Sequence, residues 1–329
     1  MIAEHIIDNN KRTSTGEIIV TLFEFCDINC LFCNQDHNSM VGIDIIPDKI
    51  NHIKLAINEL KKKGKTEFAI NIMGGEVFSD KLPDSIFGEY EKLIALIDQL
   101  EYPIKLSFVT NFIWKKQERV KEFITKNNIK LFTSYDPSGR FNPETFEIFK
   151  TNVIEFTPNI RCANVIMTKP NIDKFLKNQV PFFDYMYNNF ELYFDYYTPE
   201  KHMDVLLPKD IDLRDFMIHM DNHWPNCYPF KDLHLKKKKD MTCMDTYTIM
   251  PSGSFGSCSI LLKDVIPIKL IPSKKDLETE WFEDYKCLEC EHFNRCSLGC
   301  FLSNHIKDAR TQKECWLKQV YDHVDSKWT

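Results

Sequence analysis

The stretch GEIIVTLFEFCDINCLFCNQDH, residues 16–37, joins a predicted strand to three closely spaced cysteines. Its first ten residues are rich in β-branched and aromatic side chains, which favour a strand. Cys26, Cys30 and Cys33 follow with the spacing Cys-x3-Cys-x2-Cys. Disulfides, a structural metal ion, or an iron–sulfur cluster with one iron left open could each use such a group. The rest of the sequence has to distinguish between these three sites.

Composition and charge exclude several classes of protein. The chain has 329 residues, which predicts one large or two medium domains, and a net charge of −6 that gives no general attraction to nucleic acid or membrane. Residues 1–10 lack the basic start and apolar run of a signal peptide. We therefore expect a cytoplasmic protein with no membrane or nucleic-acid partner. In that reducing compartment, its 12 cysteines indicate metal or redox sites rather than disulfides.

The first two thirds of the chain alternate between strand and helix patterns. Such alternation predicts an α/β fold with a parallel sheet and crossover helices, whose chemistry lies at the carboxyl ends of the strands. The predicted strands are 16–25, 67–73, 104–111, 129–136, 159–168 and 190–197, and the clearest predicted helices are 47–64, 87–100, 116–128 and 142–153.

The pattern changes after about residue 205. Periodic helices fade, and residues 227–315 hold eight of the 12 cysteines. We therefore predict two domains, 1–205 and 206–329, of which the second is small, irregular and rich in cysteine. Metal binding would supply part of the folding energy of a domain with so little apolar patterning.

The N-terminal cysteines leave two metal sites open on spacing alone. Three thiolates can hold a four-iron cluster by three of its corners. A tetrahedral zinc ion needs a fourth ligand, and His37 could supply it.

The wider context of these cysteines resembles the radical S-adenosylmethionine (SAM) enzymes. The cysteine motif follows the first strand, with the aromatic Phe32 before its last cysteine, and Gly74-Gly75-Glu76 follows the second strand. The resemblance implies a partial (β/α)6 barrel, with a [4Fe-4S] cluster on the three cysteines and SAM on the open iron. It also implies that Gly74 and Gly75 let the backbone approach SAM, and that Glu76 adds negative charge near its ammonium group.

Further cofactor-binding residues follow from the same resemblance. Thr110-Asn111, at the end of the third strand, resembles a signature of some radical SAM enzymes. Ser134 begins a turn that resembles their Ser-x-Asp-Gly motif, with Pro137 where glycine is usual. The resemblance implies that Ser134 contacts SAM, and Asn164 in the fifth strand is a further candidate contact.

The C-terminal cysteines resemble the SPASM domain, which carries two auxiliary iron–sulfur clusters on radical SAM enzymes that mature peptides and proteins. A zinc ribbon is the alternative, but it does not explain seven cysteines in this order. The resemblance implies that the first cluster uses Cys243, Cys258 and Cys300, and the second uses Cys287, Cys290, Cys296 and Cys315. The chain would then hold three [4Fe-4S] clusters in all.

The fourth ligand of the first auxiliary cluster is Cys227 in our interpretation. It lies farther from Cys243 than the family spacing implies, so the alternative is a cluster with an open iron. Cys162 lies within a predicted strand and is interpreted as a buried apolar residue.

The resemblance implies a radical SAM oxidoreductase. Such an enzyme cleaves SAM reductively to a 5′-deoxyadenosyl radical, abstracts hydrogen from an unactivated carbon, and here would oxidise or cross-link a peptide side chain (a RiPP-type maturase). A flavodoxin- or ferredoxin-type protein would supply electrons. Ser259 stands where sulfatase-maturing members carry aspartate, which disfavours that reaction. Only about 15 residues precede the first strand, so we expect either that a separate protein recognises a leader peptide or that the substrate carries no leader.

Two alternatives remain at this point. The same chemistry could act on a small molecule such as a sugar or nucleoside, or the chain could be a non-enzymatic iron–sulfur carrier or a zinc-scaffolded binding protein. Gly74-Gly75-Glu76 argues against a carrier, which needs no SAM pocket. Asp195 and Tyr197, on one face of the sixth strand, are the candidate catalytic residues, and structural packing is their alternative role.

Overall fold

The computed structural model describes most residues up to 235 and part of the chain beyond. The described residues are 14–33, 35, 37, 46–197, 204–235, 246–256, 258, 279, 281–293, 295, 296 and 315–327. Cys243, Ser259 and Cys300 lie outside them. Within these ranges, no helix has the length and apolar character needed to cross a membrane.

One curled sheet organises the described part of the chain. Its strand order is β6-β5-β4-β3-β2-β1-β7-β8. Strands β1 to β7 run parallel to their neighbours, and β8 pairs antiparallel with β7. The strands are Thr15–Thr21 (β1), Glu67–Met73 (β2), Ile104–Val109 (β3), Lys130–Tyr135 (β4), Ile160–Met167 (β5), Glu191–Tyr196 (β6), Thr246–Ile249 (β7) and Phe255–Gly256 (β8).

The six predicted strands are therefore confirmed, and five of them match within two residues at each end. The exception is β1, which ends at Thr21 rather than at residue 25. Alternation along β1 sorts the two faces of the sheet, because Ile18 and Val20 are fully buried while Glu17 and Ile19 are only half-buried. The fully buried side faces the helices, and the half-buried side forms the concave face.

Helices cover the convex face. Their bounds are Lys49–Lys62 (α1), Ser85–Asp98 (α2), Gln117–Asn127 (α3), Pro143–Glu155 (α4), Lys169–Leu176 (α5), Phe183–Asn189 (α6), Asp210–His223 (α7), Phe230–His234 (α8) and Trp316–Lys327 (α9). Short 3₁₀ turns occupy Ile46–Asp48, Thr157–Asn159, Asp204–Leu206 and Cys287–Glu289. The four predicted helices correspond to α1 to α4.

The ends of these helices follow from local sequence. At the start of α4, the Asn142 side chain accepts a hydrogen bond from the Thr145 N–H at 2.9 Å, and the Thr145 hydroxyl caps the Asn142 N–H. Such a cap contributes about 1 kcal/mol, and Pro143 at the first helical position is already set in a helical φ. Beyond α1, Gly64 has a φ of +82°, which suits glycine and stops the helix.

An aromatic cluster packs α2 and α3 against β3. Phe78, Phe87, Tyr90, Phe108 and Phe123 are all buried, with ring centroids 5.2 to 6.1 Å apart. The Tyr90 hydroxyl also donates to the Val77 carbonyl at 2.8 Å. The core thereby fixes the backbone that directly follows Gly74-Gly75-Glu76.

The sheet curls into a partial barrel. In a flat sheet, β1 and β6 would lie about 24 Å apart, at about 4.8 Å per strand. Yet Glu17 on β1 contributes electrostatically to the raised pKa of Asp195 on β6. The two ends of the strand array therefore approach one another across the concave face, and the predicted partial (β/α)6 barrel is confirmed.

The region beyond residue 205 is more regular than its sequence predicted. Leu213, Phe216, Met217 and Met220 are buried along α7 at helical spacing, and α9 packs against α7. Polar residues between these positions masked the periodicity. Strands β7 and β8 also come from this region and extend the sheet beyond β1. The predicted boundary at residue 205 falls in the short turn before α7 and stays a prediction.

Candidate metal and cofactor site

Three thiols from one loop lie beside the carboxyl end of β1. Cys30 is 6% exposed, and Cys26 and Cys33 are half-buried. The Cys33 N–H donates to the Cys30 carbonyl at 3.0 Å, which folds the loop back on itself. Burial, followed by smaller repulsion from Glu76 and the other two thiols, raises the pKa of Cys26 to about 12. A bound metal would compensate the negative charge of these thiols and hold them as thiolates.

The spacing of these thiols fits a cluster better than a single ion. Ligands of tetrahedral zinc lie about 3.8 Å apart, given Zn–S bonds of about 2.3 Å. In the described part of the chain, the potential metal-binding atoms of Glu291, His292 and Asp322 all lie within 4.8 Å of one another. The three thiols and His37 do not form such a group. Three thiols farther apart suit a larger cluster that is held at separate irons. The His37 ring nitrogens are buried without a hydrogen-bond partner.

The Gly-Gly-Glu segment lies directly beside the cysteine loop. Leu22 N–H donates to Met73 O at 2.8 Å, Gly75 N–H to Phe23 O at 3.0 Å, and Glu76 N–H to Phe25 O at 2.8 Å. The β1–β2 pairing thus continues past both strands. A Cβ on Gly75 would lie 2.0 Å from Phe25 O, so no other residue fits there. In this structure, the missing Cβ of Gly75 leaves room for the backbone of the cysteine loop.

Glu76 is buried and hydrogen-bonded to the end of β3. It is 1% exposed, its Oε1 accepts from the Thr110 hydroxyl at 2.7 Å, and its Oε2 accepts from the Asn111 N–H at 2.6 Å. Burial raises its pKa to about 7, against the opposing effect of these hydrogen bonds. Glu76 therefore organises the end of β3, a role that sequence reasoning missed.

The end of β3 in turn contacts the cysteine loop. The Asn111 Nδ2 lies 3.8 Å from the Cys26 Sγ, and its Oδ1 accepts from the Ile113 N–H at 2.6 Å. The Thr110 hydroxyl accepts from the Trp114 indole N–H at 2.9 Å. Asn111 is thus brought to the Cys26 thiol and Thr110 to Glu76, and the role of both residues in cofactor binding stays a prediction.

The end of β4 brings an unexpected cation to the same loop. Ser134 lies half-buried on β4, and its carbonyl accepts from Arg140 Nη1 at 2.7 Å. The Arg140 guanidinium lies 5.8 Å from the ring centroid of Phe32. Sequence analysis missed Arg140, because the contact between the β4 turn and the cysteine loop is tertiary. Asp136, 1% exposed, has an Oδ2 without a partner.

The concave face carries the candidate catalytic residues. Asn164 on β5 donates to the Asp195 Oδ2 on β6. Asp195 is exposed to solvent by its relative surface area, although many protein atoms surround its carboxyl group. This burial, with a smaller contribution from Glu17, raises the pKa of Asp195 to about 6. Tyr197 is 5% exposed, just past the end of β6. Whether Asn164 also reaches SAM stays a prediction.

Four C-terminal cysteines line one cavity. Cys287, Cys290, Cys296 and Cys315 surround a volume of about 440 Å³. Burial and repulsion from the other three thiols raise the pKa of Cys287 to about 12. Four thiols that line one open volume are a suitable donor set for a [4Fe-4S] cluster. These are the four residues predicted for the second auxiliary cluster.

Ion pairs fasten this cysteine segment to α9. His292 Nε2 lies 2.7 Å from Asp322 Oδ1, and Arg295 forms two 2.9 Å hydrogen bonds with Asp325. Lys318 bridges Glu291 at 3.1 Å and Asp322 at 2.8 Å. A lysine thus already neutralises the Glu291, His292 and Asp322 group.

The predicted first auxiliary site is described only in part. Cys258 is half-buried just beyond β8. Cys227 is 1% exposed in the apolar core, and burial alone raises its pKa. Because Cys243 and Cys300 lie outside the described residues, the ligand role of Cys227 stays a prediction. Cys162 is 6% exposed within β5, as expected of a buried residue.

Comparisons with known proteins identify the fold. No family model matches the chain, and a search of curated proteins finds no match. Native anSMEcpe with bound AdoMet superposes with a TM-score of 0.64 at 15% identity, over 95% of this chain and 98% of that one. The structure of native anSMEcpe with bound AdoMet and Cp18Cys peptide gives 0.63 at 16% identity, over 95% and 96%. SuiB of Streptococcus suis gives 0.50 at 16% identity, over 91% and 76%.

Two of these three structures were solved with AdoMet bound. At such low identities the similarity establishes the fold and leaves the reaction open. The chain therefore shares the curled partial-barrel fold of these neighbours, and its C-terminal region is rich in cysteine.

Proposed function

We propose that this chain, which has the radical SAM fold, is a radical SAM/SPASM oxidoreductase that oxidises or cross-links a peptide side chain. One observation carries the proposal. The three thiols of the cysteine loop, the Gly-Gly-Glu segment and the Thr110-Asn111 strand end are joined by hydrogen bonds into a single site. A carrier protein would need the thiols, but it would not need the other two elements.

At this site, Cys26, Cys30 and Cys33 would hold a four-iron cluster by three irons. When bound, the cluster and SAM supply the one-electron reductive cleavage that gives methionine and a 5′-deoxyadenosyl radical. Asn111 would orient the Cys26 sulfur, and Glu76 would hold Asn111 in place. Phe32, Gly74, Ser134 and Asn164 are the further residues that we propose for SAM binding.

The concave face would receive the substrate. With substrate bound, enclosure by the curled sheet would exclude water and hold the target carbon close to the radical. Asp195, whose pKa is raised to about 6, is largely ionised at neutral pH and could accept a proton. A peptide substrate is supported by the neighbour solved with AdoMet and the Cp18Cys peptide.

The C-terminal cysteines would hold two auxiliary clusters, which gives three per chain. Cys287, Cys290, Cys296 and Cys315 form one ligand set, and Cys227, Cys243, Cys258 and Cys300 form the other. These clusters would accept an electron from the substrate radical or bind the substrate. A flavodoxin- or ferredoxin-type protein would be the reductant, and a separate protein could recognise the peptide.

Anaerobic reconstitution tests the proposal. The protein is incubated with SAM, dithionite and candidate peptides, and 5′-deoxyadenosine and peptide masses are followed by mass spectrometry. We expect 5′-deoxyadenosine in the presence of reductant and a peptide that has lost two hydrogen atoms. Absence of 5′-deoxyadenosine from fully loaded protein would reject radical SAM chemistry. If the enzyme converts sugars or nucleosides but no peptide, the proposed substrate class changes from a peptide to a small molecule.

A further inference from the structure

The segment that follows β3 contains a strained residue next to a contact with the cysteine loop. Phe112 has a φ of +58°, in the left-handed region that a bulky side chain seldom adopts. Its neighbour Asn111 places its Nδ2 3.8 Å from the Cys26 sulfur. Strain of this kind persists only where the surrounding structure imposes it, and it is concentrated at functional sites. The conformation of Phe112 therefore needs partners that hold it.

Asn152 on α4 supplies such partners. It is fully buried, and its Nδ2 donates to the Phe112 carbonyl at 3.0 Å and to the Trp114 carbonyl at 2.8 Å. Because carbonyl oxygens can only accept, the nitrogen of this amide has to face them. Its Oδ1 accepts from the Gln117 Nε2, which fixes the other end of the amide. One side chain thus bridges two carbonyls of a segment that lies about 40 positions earlier in the chain.

The backbone of Phe112 also sets the direction of the Asn111 side chain. The Ile113 N–H, on the far side of Phe112, donates to the Asn111 Oδ1 at 2.6 Å. This side-chain turn encloses Phe112, so a different φ at Phe112 would move the amide of Asn111. The Phe112 N–H donates to the Thr110 hydroxyl at 3.2 Å, which holds the start of the turn. Asn152 holds its end through the Phe112 carbonyl.

We propose that Asn152 is a positioning residue for the N-terminal cluster. It holds Phe112 in the left-handed conformation, and the turn around Phe112 keeps the Asn111 amide at the Cys26 sulfur. The inference rests on the proposed function, because it requires a cluster on the three thiols of the cysteine loop. A hydrogen bond from Asn111 to a ligand sulfur stabilises the reduced, more negative state of the cluster, so loss of Asn152 should make reduction harder.

The test is a double-mutant cycle between Asn111 and Asn152, measured as the reduction potential of the N-terminal cluster in the full reconstituted chain. Redox titration with Ti(III) citrate is monitored by electron paramagnetic resonance (EPR), and the signal that changes when SAM is added identifies this cluster. At the midpoint potential of the unmodified protein, Asn152→Ala should lower the ratio of reduced to oxidised cluster about threefold. This corresponds to about 28 mV for a one-electron couple, at about 59 mV per tenfold change. Asn111→Ala should lower the ratio at least as much.

The double variant shows whether the two residues act together. If Asn152 acts through Asn111, the double variant should match Asn111→Ala alone, because the donor to the sulfur is already gone. A merely structural role for Asn152 would add a shift of its own. Additive shifts therefore overturn the inference, and so does an unchanged potential in either single variant with full iron content.

Asn127→Ala is the matched control. The Asn127 Nδ2 also donates to a backbone carbonyl, that of Phe123 at 2.9 Å, and the residue is half-buried. This bond lies within α3 and does not reach the end of β3, so the potential should stay unchanged. An equal shift in the Asn127 and Asn152 variants would overturn the inference, because the effect would not be local.

The remaining outcomes separate the inference from the proposed function. If Asn152→Ala fails to fold or to retain its iron, Asn152→Ser decides, because serine keeps a donor but is too short to bridge both carbonyls. A lowered potential that disappears in the Asn111→Ala background supports the inference, and any other result overturns it. Each of these failures leaves the proposed function standing. If the unmodified protein shows no EPR signal that responds to SAM, both are rejected.

Discussion

The two cysteine regions are held by different forces. Backbone hydrogen bonds to the Gly-Gly-Glu segment position the N-terminal loop, and the absence of a Cβ at Gly75 permits that contact. The C-terminal segment is instead fastened to α9 by side-chain pairs such as His292–Asp322 and Arg295–Asp325. The first arrangement extends a parallel sheet, whereas the second depends on charged groups at a helix surface.

This difference suggests that the two cysteine regions depend to different degrees on bound metal for their order. Peptide hydrogen bonds inside a packed sheet hold a loop in one geometry, as the proposed SAM-cleaving site would require. Partly exposed ion pairs contribute little individually, so metal would supply more of the order around the C-terminal cysteines. The predictions below test this contrast, from the largest expected effect to the smallest.

Replacing Cys26, Cys30 and Cys33 together with alanine should abolish SAM cleavage, because only this loop would hold the SAM-binding iron. The C-terminal sites should survive, so iron should fall from about twelve to about eight atoms per chain. Iron analysis and chromatography of 5′-deoxyadenosine check both. Cys162→Ala removes a buried thiol outside every proposed ligand set and should retain the irons. Continued SAM cleavage by the triple variant would show that the roles are wrongly assigned.

Gly75→Ala should disrupt the N-terminal loop. Its Cβ would lie 2.0 Å from the Phe25 carbonyl oxygen, and the cost should reach about 3 kcal/mol, the upper end for overpacking. Chemical denaturation and SAM cleavage measure the effect. In Gly88→Ala, the new Cβ meets nothing within 4 Å, and the helix should gain up to about 1 kcal/mol. Equal stability of the two variants would refute the close-packing explanation.

Asp195→Asn should lower product formation about 10²-fold, the lower end for acid–base catalysis, while SAM cleavage persists. In the unmodified protein, product formation should fall as pH drops below about 6, because burial raises the pKa of Asp195 to about 6 and protonation removes the base. Uncoupled 5′-deoxyadenosine formation, measured over the same pH range, should lack this dependence on Asp195. A product rate unaffected by the substitution would leave Asp195 with a packing role.

Asp322→Asn should lower the stability of the C-terminal segment by only about 1 kcal/mol. His292 loses a charged partner, but the Asp322 side chain is 45% exposed, so the pair contributes little. Iron release to a chelator should quicken at the C-terminal sites and not at the N-terminal site. Asp215→Asn, which removes the exposed partner of Arg214, is the matched control and should change nothing measurable. Equal acceleration at both metal sites would contradict the contrast.

Sequence patterns were sufficient for the first six parallel strands and, except at β1, for their ends. Each strand combines β-branched and aromatic residues with a polar stop, and parallel pairing brings those stops to one edge. Local spacing likewise grouped Cys26, Cys30 and Cys33, and the family resemblance grouped the four cysteines that line the C-terminal cavity. These features are encoded by neighbours in the chain.

Other contacts could not be predicted in this way. The approach of Arg140 to Phe32, and of Glu76 to Asn111, depends on which strands become adjacent. Strand β7 has only four residues, too few to show alternation, and its partner β1 lies far away in sequence. Helix α7 was missed because polar residues separate its apolar positions.

The β1–β7 pairing sets an order of events during synthesis. Thr246 on β7 donates to Glu17 on β1, 229 positions earlier. At about 5 to 20 residues per second, the outer edge of β1 waits about 11 to 46 seconds on the ribosome for its partner. An unpaired parallel edge invites association with other chains. Slower elongation, or a chaperone that shields this edge, should therefore govern how much of the nascent chain reaches its native state.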